Sequence, residues 1–491
     1  MKKLRWVFWK FRRKREDSKA APVVDAATEP PGSAEAKTAA ALSNSAKREP
    51  AGAVTKKRRI HLGIDFGTST SKIVFRDYGA PGGERAVLLV RDGSFRIPSR
   101  ACVTSTDLLF GSDKTPEGSD VFESIKMQAA AEKSGNLNYY FGPARTFPTK
   151  DGFRAADLAT LVVWFLISEG QRAVSQYVGG SMDRLSIGMT MGVPMSFFND
   201  KQLRPLFLSI ARRAWHLFRS EGPIGSRLSI ARASEVLHQA SSVLLPEIPS
   251  DQVRDWIRSE GEAAMWWPFQ SPAVAAGPYA KLDIGAGTSH SSLYRIFGDV
   301  RTPKRGIAFL GAATVAVAMD AVDRVIAECQ GINGDCLALR GQEQSMMERN
   351  PQVRNAVVSV RNQIYDAYRK AWIQTYRKIE NYPAEITAWR EHRMFTIGGG
   401  SLVRALIDPM RTHPSGANPH IQPAFLEPPP DLARADGKKI HKDDLPFIGV
   451  AYGLSNIGLS IPEAFTPDEV PPMPEPLDRR IHLDRDDIYS K

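Results

Sequence analysis

One short pattern occurs twice in this chain and limits its fold more than any other feature. At His61-Leu-Gly-Ile-Asp-Phe-Gly-Thr-Ser-Thr-Ser-Lys-Ile-Val-Phe-Arg76, apolar positions (Leu62, Ile64, then Ile73, Val74, Phe75) are interrupted by Asp65 and a small-residue turn, Gly67-Thr68-Ser69-Thr70. Such alternation around a polar turn predicts a β-hairpin. The pattern returns about 220 residues later at Lys281-Leu-Asp-Ile-Gly-Ala-Gly-Thr-Ser-His290, with Asp283 ahead of Gly285-Ala286-Gly287-Thr288. Gly67 lets backbone approach a ligand closely, successive turn N–H groups suit phosphate oxygens, and the aspartate is the anion that a phosphate-bound Mg²⁺ requires. Two copies predict two related units gripping one polyphosphate.

The net charge of +11 suggests a polyanion partner, but its placement argues otherwise. Residues 1–59 hold 16 Lys/Arg against 6 Asp/Glu, leaving 49 against 48 in the rest, so the body is near neutral and nucleic acid is not its expected partner. Cys102, Cys329 and Cys336 are too few and scattered for a disulfide framework or a four-ligand zinc site, which points to a reducing cytoplasm. No apolar run reaches the roughly 18–20 residues of a membrane span.

Residues 1–17 form a basic arm in which Trp6, Phe8, Trp9 and Phe11 alternate with cations, suited to an anionic membrane surface at the inner face, to a protein partner, or to solvent as a plain basic tail. Residues 18–59, rich in Ala, Pro, Ser, Glu and Lys, predict a disordered linker. Short strands then lead to a largely buried helix from Arg154 to about Val178, a buried strand Leu185–Pro194, and an amphipathic helix ending at Phe218. Helical spacing resumes from Ala233 to Leu245, and residues 412–446 read as a long surface loop. Strands first and alternating helices afterwards predict an α/β class.

Seven segments give the chain a resemblance. Gly63-Ile-Asp-Phe-Gly-Thr-Ser69, Ile97-Pro-Ser99, Val193-Pro-Met-Ser-Phe-Phe-Asn-Asp-Lys-Gln202, Asp283-Ile-Gly-Ala-Gly-Thr288, Gly306-Ile-Ala-Phe-Leu-Gly311, Gly398-Gly-Gly-Ser401 and Val450-Ala-Tyr-Gly453 stand in the order found in actin-like ATPases. Over residues 60–460 the chain most resembles the nucleotide-binding domain of the seventy-kilodalton heat-shock chaperones, the DnaK family. The resemblance implies a two-lobed actin-like ATPase fold, with two ribonuclease-H-like lobes around a nucleotide cleft. Lobe I would span 60–278 and lobe II 279–460, with a helical subdomain at about 312–392. Residues 461–491 would be a C-terminal tail, and the peptide-binding domain of a full chaperone is expected to be missing.

By the same resemblance, ATP or ADP would lie against Gly67, Thr68 and Ser69 on one side and Gly285, Ala286, Gly287 and Thr288 on the other. Asp65 and Asp283 would hold Mg²⁺, largely through water. Gly311 would close over the nucleoside, and Gly398, Gly399 and Gly400 would let ribose and adenine lie against backbone. Lys126 lies where the family has a lysine reaching the γ-phosphate, although it also suits a solvated helix lysine. The helix Glu235–Leu244 takes the place of the family's Glu-Pro-Thr-Ala-Ala-Ala segment, so that Gln239 would orient the attacking water. A glutamine can orient water but cannot take its proton. His290 departs from the family's usual aspartate and reads as a satisfied surface or core histidine.

The expected function is a stand-alone, slow DnaK-like ATPase: a nucleotide-dependent switch acting on an unidentified protein partner. An actin-like filament or partition protein is the first alternative. A small-molecule kinase is the second, against which stands the absence of an evident carboxylate base between the hairpins.

Overall fold

The computed structural model describes residues 57–457, except 113, 136–148, 180–181, 244–245, 250–251, 298–305, 332–338, 340, 391, 409–421 and 424–426, together with residues 464–465. The basic arm, the linker up to residue 56, Cys336 and nearly all of the tail lie outside the described residues. Arg58 and Arg59, expected in the linker, instead open the first strand.

Strand Arg58–Asp65, paired on both edges, is buried from Ile60 onward because helices Ala155–Val178 and Leu445–Leu454 pack against it. It runs antiparallel to Thr70–Asp77, which runs antiparallel to Arg85–Leu88. On its other side Leu185–Val193 and then Ile257–Ser259 add in parallel. A second sheet repeats this plan. Gly277–Ile284, Ser289–Phe297 and Gly306–Val315 form the antiparallel part, and Arg393–Ile397 and Gln422–Pro423 add in parallel beside Gly277–Ile284. Counted by appearance, both sheets have the order 3-2-1-4-5 with only the second strand reversed. Each also gains a late parallel strand beside its third: Leu432–Arg434 in the first sheet, Ala464–Phe465 in the second. The segment expected as a surface loop at 412–446 therefore contains a strand of the first sheet. The protein is mixed α/β.

Local chemistry sets the helices. Ala155–Val178 begins where Asp157 accepts from the Arg154 N–H at 3.0 Å and ends at Gly179, whose positive φ no β-carbon resists. It is apolar nearly all round and sits inside the first core, against Leu203–Glu221 and the first strand, where Gly170 meets Leu62. Pro351–Ile379 is capped by Asn350, whose side chain accepts from the N–H groups of Gln352 and Val353. Its stripe Val353, Val357, Val360, Ile364 and Ala371 is buried in the second core, and the helix packs on strands Gly306–Val315 and Ser289–Phe297 and on helix Met319–Gln330.

Helix Leu445–Leu454 returns the chain to the first sheet. Two glycines seat it: a β-carbon at Gly453 would lie 1.9 Å from the Ala263 carbonyl, and one at Gly63 would lie 2.3 Å from the Ala451 carbonyl. Backbone-to-backbone packing on both sides is the reason for glycine there. A separate small sheet of Asp120–Phe122, Ala101–Val103, Asp107–Phe110 and Arg227–Ser229 carries helix Ile230–Ser242. Among the described residues, no helix is long and apolar enough to cross a membrane.

Candidate functional site

Each hairpin turns at its aspartate. In the first, Asp65 pairs with Lys72 across the strands and the Gly67 N–H donates to the Asp65 carbonyl at 3.0 Å, which tightens the turn. Ile97–Pro98 pairs with Thr70–Ser71, and the Ser99 N–H donates to the Ser69 carbonyl at 2.8 Å, so the tip is braced from behind. In the second, Asp283 pairs with His290, and the Gly285 N–H donates to the Thr288 carbonyl at 3.0 Å. Helix Met319–Gln330 starts against this loop: the Asp320 N–H donates to the Ala286 carbonyl at 2.8 Å.

The two tips meet. A β-carbon at Gly287 would lie 2.9 Å from Thr68 Cγ2, and Ser124, just ahead of helix Ile125–Ser134, donates to Asp320 Oδ2 at 3.1 Å. Beside this contact opens one cavity of about 1330 Å³, lined by residues of both sheets. Asp65, Gly67, Thr68, Ser69, Gly285, Ala286, Thr288, Gly398, Gly399 and Lys126 all line it. Gly398 has φ 79°, and a β-carbon there would strike the Ile284 carbonyl at 2.3 Å. Glycine is thus needed for both the turn and the close approach.

Four expected site residues lie elsewhere. Gln239 is exposed on helix Ile230–Ser242, its amide 3.4 Å from Glu235, and does not reach the cavity. Gly311 faces helix Pro351–Ile379, where a β-carbon would stand 2.0 Å from the Ala371 carbonyl, so this glycine serves packing. Gly400 is buried against Ile284, and Gly287 is spent on the contact with Thr68. His290, expected as a satisfied histidine, lines the cavity: its Nδ1 is 2.8 Å from Thr314 Oγ1, and burial, with Lys281 adding, pushes its imidazole down to about 3.

Glu260 is the residue that the sequence reading missed. It opens helix Glu260–Gln270 directly after strand Ile257–Ser259, and its side chain faces the cavity with 16% exposure. Its Oε1 pairs with Lys126 Nζ, which also donates to the Phe66 carbonyl at 2.7 Å. Burial raises the Glu260 carboxyl, Lys126 draws it back, and Asp65 and Asp283 raise it further. Burial also raises Asp283, with Lys281 opposing and Asp65 adding. Three carboxylates are therefore within electrostatic reach of one another. The signal was present in sequence: Ser259-Glu260-Gly-Glu-Ala-Ala264 has an acid followed by small residues, the order expected at Glu235–Leu244.

Lys72 lies 3.3 Å from Asp65 and donates to the Thr70 carbonyl at 3.0 Å. Glu343, Gln344, Leu402 and Arg404 also line the cavity. Among the described residues no group of three His, Cys, Asp or Glu is placed to hold a metal ion. Two carboxylates facing one cavity do suit Mg²⁺, which keeps most of its shell as water and phosphate oxygen. The chain matches no protein-family model and no curated protein.

Proposed function

We propose that this cavity binds Mg²⁺-ATP and hydrolyses it slowly, and that the two sheets are the ribonuclease-H-like lobes of an actin-like, DnaK-like ATPase. The observation that carries the reading is the convergence of Asp65 and Asp283, from the tips of two sheets of one topology, on one cavity. The resemblance in the seven ordered segments supports it.

In this reading the N–H groups of the two tip loops bind phosphate oxygens, and Lys72 neutralises the adjoining charge. Asp65 and Asp283 would hold the ion, and Mg²⁺, when bound, would offset charge on the transferring phosphoryl group. Glu260, raised by burial, accepts a proton from the attacking water, and Lys126 fixes the carboxylate that does so. Glu343, Gln344, Leu402 and Arg404 receive the nucleoside. Bound nucleotide joins both sheets, so its loss or hydrolysis is a change that a protein partner can read.

The full-length protein should bind one equivalent of ATP in Mg²⁺ and release ADP without any acceptor. Failure to bind ATP would end the proposal. Glu260 also favours a second reading, phosphoryl transfer to a small-molecule hydroxyl, because it supplies the cleft carboxylate that the sequence did not reveal. ADP release that depends on an added acceptor would select that reading.

A further inference from the structure

The chain passes between the two sheets more than once. Helix Glu260–Gln270, packed beside the first sheet, leads to strand Gly277–Ile284 of the second. From the edge of the second sheet, Gln422–Pro423, the chain returns to the edge of the first at Leu432–Arg434. After helix Leu445–Leu454 it joins the second sheet again at Ala464–Phe465. The middle passage is a strap, fastened to one sheet at each end.

A buried cluster fixes its end on the first sheet. Asp431, directly ahead of Leu432–Arg434, accepts from Arg76 Nη1 at 2.6 Å and from the Tyr452 hydroxyl at 2.8 Å. Arg76 is buried, with its guanidinium 5.0 Å from the centre of the Tyr452 ring. Its Nε and Nη2 have no hydrogen-bond partner, and among the described residues its other carboxylate neighbour is the exposed Glu84 at 3.9 Å. A guanidinium keeps its charge when buried, so Arg76 depends on Asp431. Backbone adds to the hold: the Ala86 N–H donates to the Asp431 carbonyl at 3.0 Å, and the Ala435 N–H to the Leu88 carbonyl at 2.9 Å.

The strap then reaches the cavity. Arg434, paired with Asp436 at 2.9 Å and 5.6 Å from the Phe95 ring, lines it together with Phe95, Arg96, Pro446 and Phe447. The Pro446 carbonyl accepts from the Gly398 N–H at 2.8 Å, and a β-carbon at Gly399 would lie 3.2 Å from Phe447 Cε1. The end of the strap therefore holds the glycine loop that the nucleotide reading sets against the nucleoside.

We propose that residues 427–446 govern nucleotide release and that Asp431 is their latch, a positioning residue that acts on the cavity through Pro446 and the Gly398–Gly399 loop. The inference rests on the nucleotide reading above. A partner protein that drew Asp431 away from Arg76 would speed exchange without touching the nucleotide.

The test is release of a fluorescent ADP from the full-length protein in Mg²⁺, followed by stopped flow after a chase of unlabelled ADP. Asp431→Asn should raise the release rate about tenfold or more, with association changed by less than about threefold. Tyr452→Phe keeps the ring beside Arg76, loses the hydroxyl, and should raise release about threefold. Asp107→Asn is the control for general loosening: it removes a 2.6 Å ion pair to Arg227 on the small sheet, does not line the cavity, and should leave release within about twofold. Release unchanged by Asp431→Asn, or raised as much by Asp107→Asn, overturns the proposal. Should Asp431→Asn fail to fold, Tyr452→Phe decides, and an unchanged release rate overturns it. Wild-type protein that binds no ADP would identify the nucleotide reading itself as the failure, and the latch would fall with it.

Discussion

Glu260 and Gln239 separate two accounts of how water is activated, since only the first faces the cavity. Glu260→Gln should lower ATP turnover by about 10²–10⁴-fold while nucleotide binding persists, whereas Gln239→Ala should leave turnover within about twofold. The reverse outcome in a steady-state assay would move the chemistry to helix Ile230–Ser242. His61 bears on stability instead. It is 7% exposed, its Nε2 is 2.9 Å from Thr190 Oγ1, and burial, with Arg258 and Arg59 adding, pushes its imidazole down to about 3. In the unfolded chain it titrates near 6.5, so between pH 6.5 and 3 unfolding takes up a proton that the fold refuses. This stability is complete above pH 6.5 and is lost as pH falls, by up to about 1.4 kcal/mol per pH unit. Urea titrations at pH 7 and pH 5 should show that loss, and His61→Gln should remove its share, about half, because His290 is depressed to about 3 as well. An unchanged slope would exclude His61 as the source.

Elements with strong local signatures were legible in the sequence. The hairpin Arg58–Asp77 and the helix Ala155–Val178 carry clear periodicity and caps, and the structure shows both close to their expected bounds. Strand Ile257–Ser259 is too short to carry a periodic signal, so the helix start bearing Glu260 was hidden, while the strong amphipathic pattern of Ile230–Ser242 drew the site to itself. Leu432–Arg434, only three residues long and one residue past a run of prolines, became a strand only through its partner Arg85–Leu88. Gly311 could not be assigned either, because a glycine in a strand marks close approach without saying of what. Helix packing was equally silent, although Gly453 makes it testable. Gly453→Ala would drive a methyl group into the Ala263 carbonyl, and should cost about 1–3 kcal/mol in urea unfolding. A loss below about 0.5 kcal/mol would mean that helix Leu445–Leu454 can shift freely on its neighbour.

At the scale of the whole molecule, the repeated 3-2-1-4-5 order gives a reason for the repeated sequence: each sheet points an equivalent hairpin at the same cavity. Neither tip is complete without the other. Removing either aspartate should then disable the same ion, and removing both should add little. The most direct measurement is the ratio of ADP affinity in Mg²⁺ to that in EDTA for the wild type, Asp65→Ala, Asp283→Ala and the double variant. Each single variant should lose most of the Mg²⁺ enhancement, and the double variant should differ from the singles by less than about threefold. An enhancement that survives in either single variant, or losses that add fully in the double, would mean that the two hairpins do not share one ion.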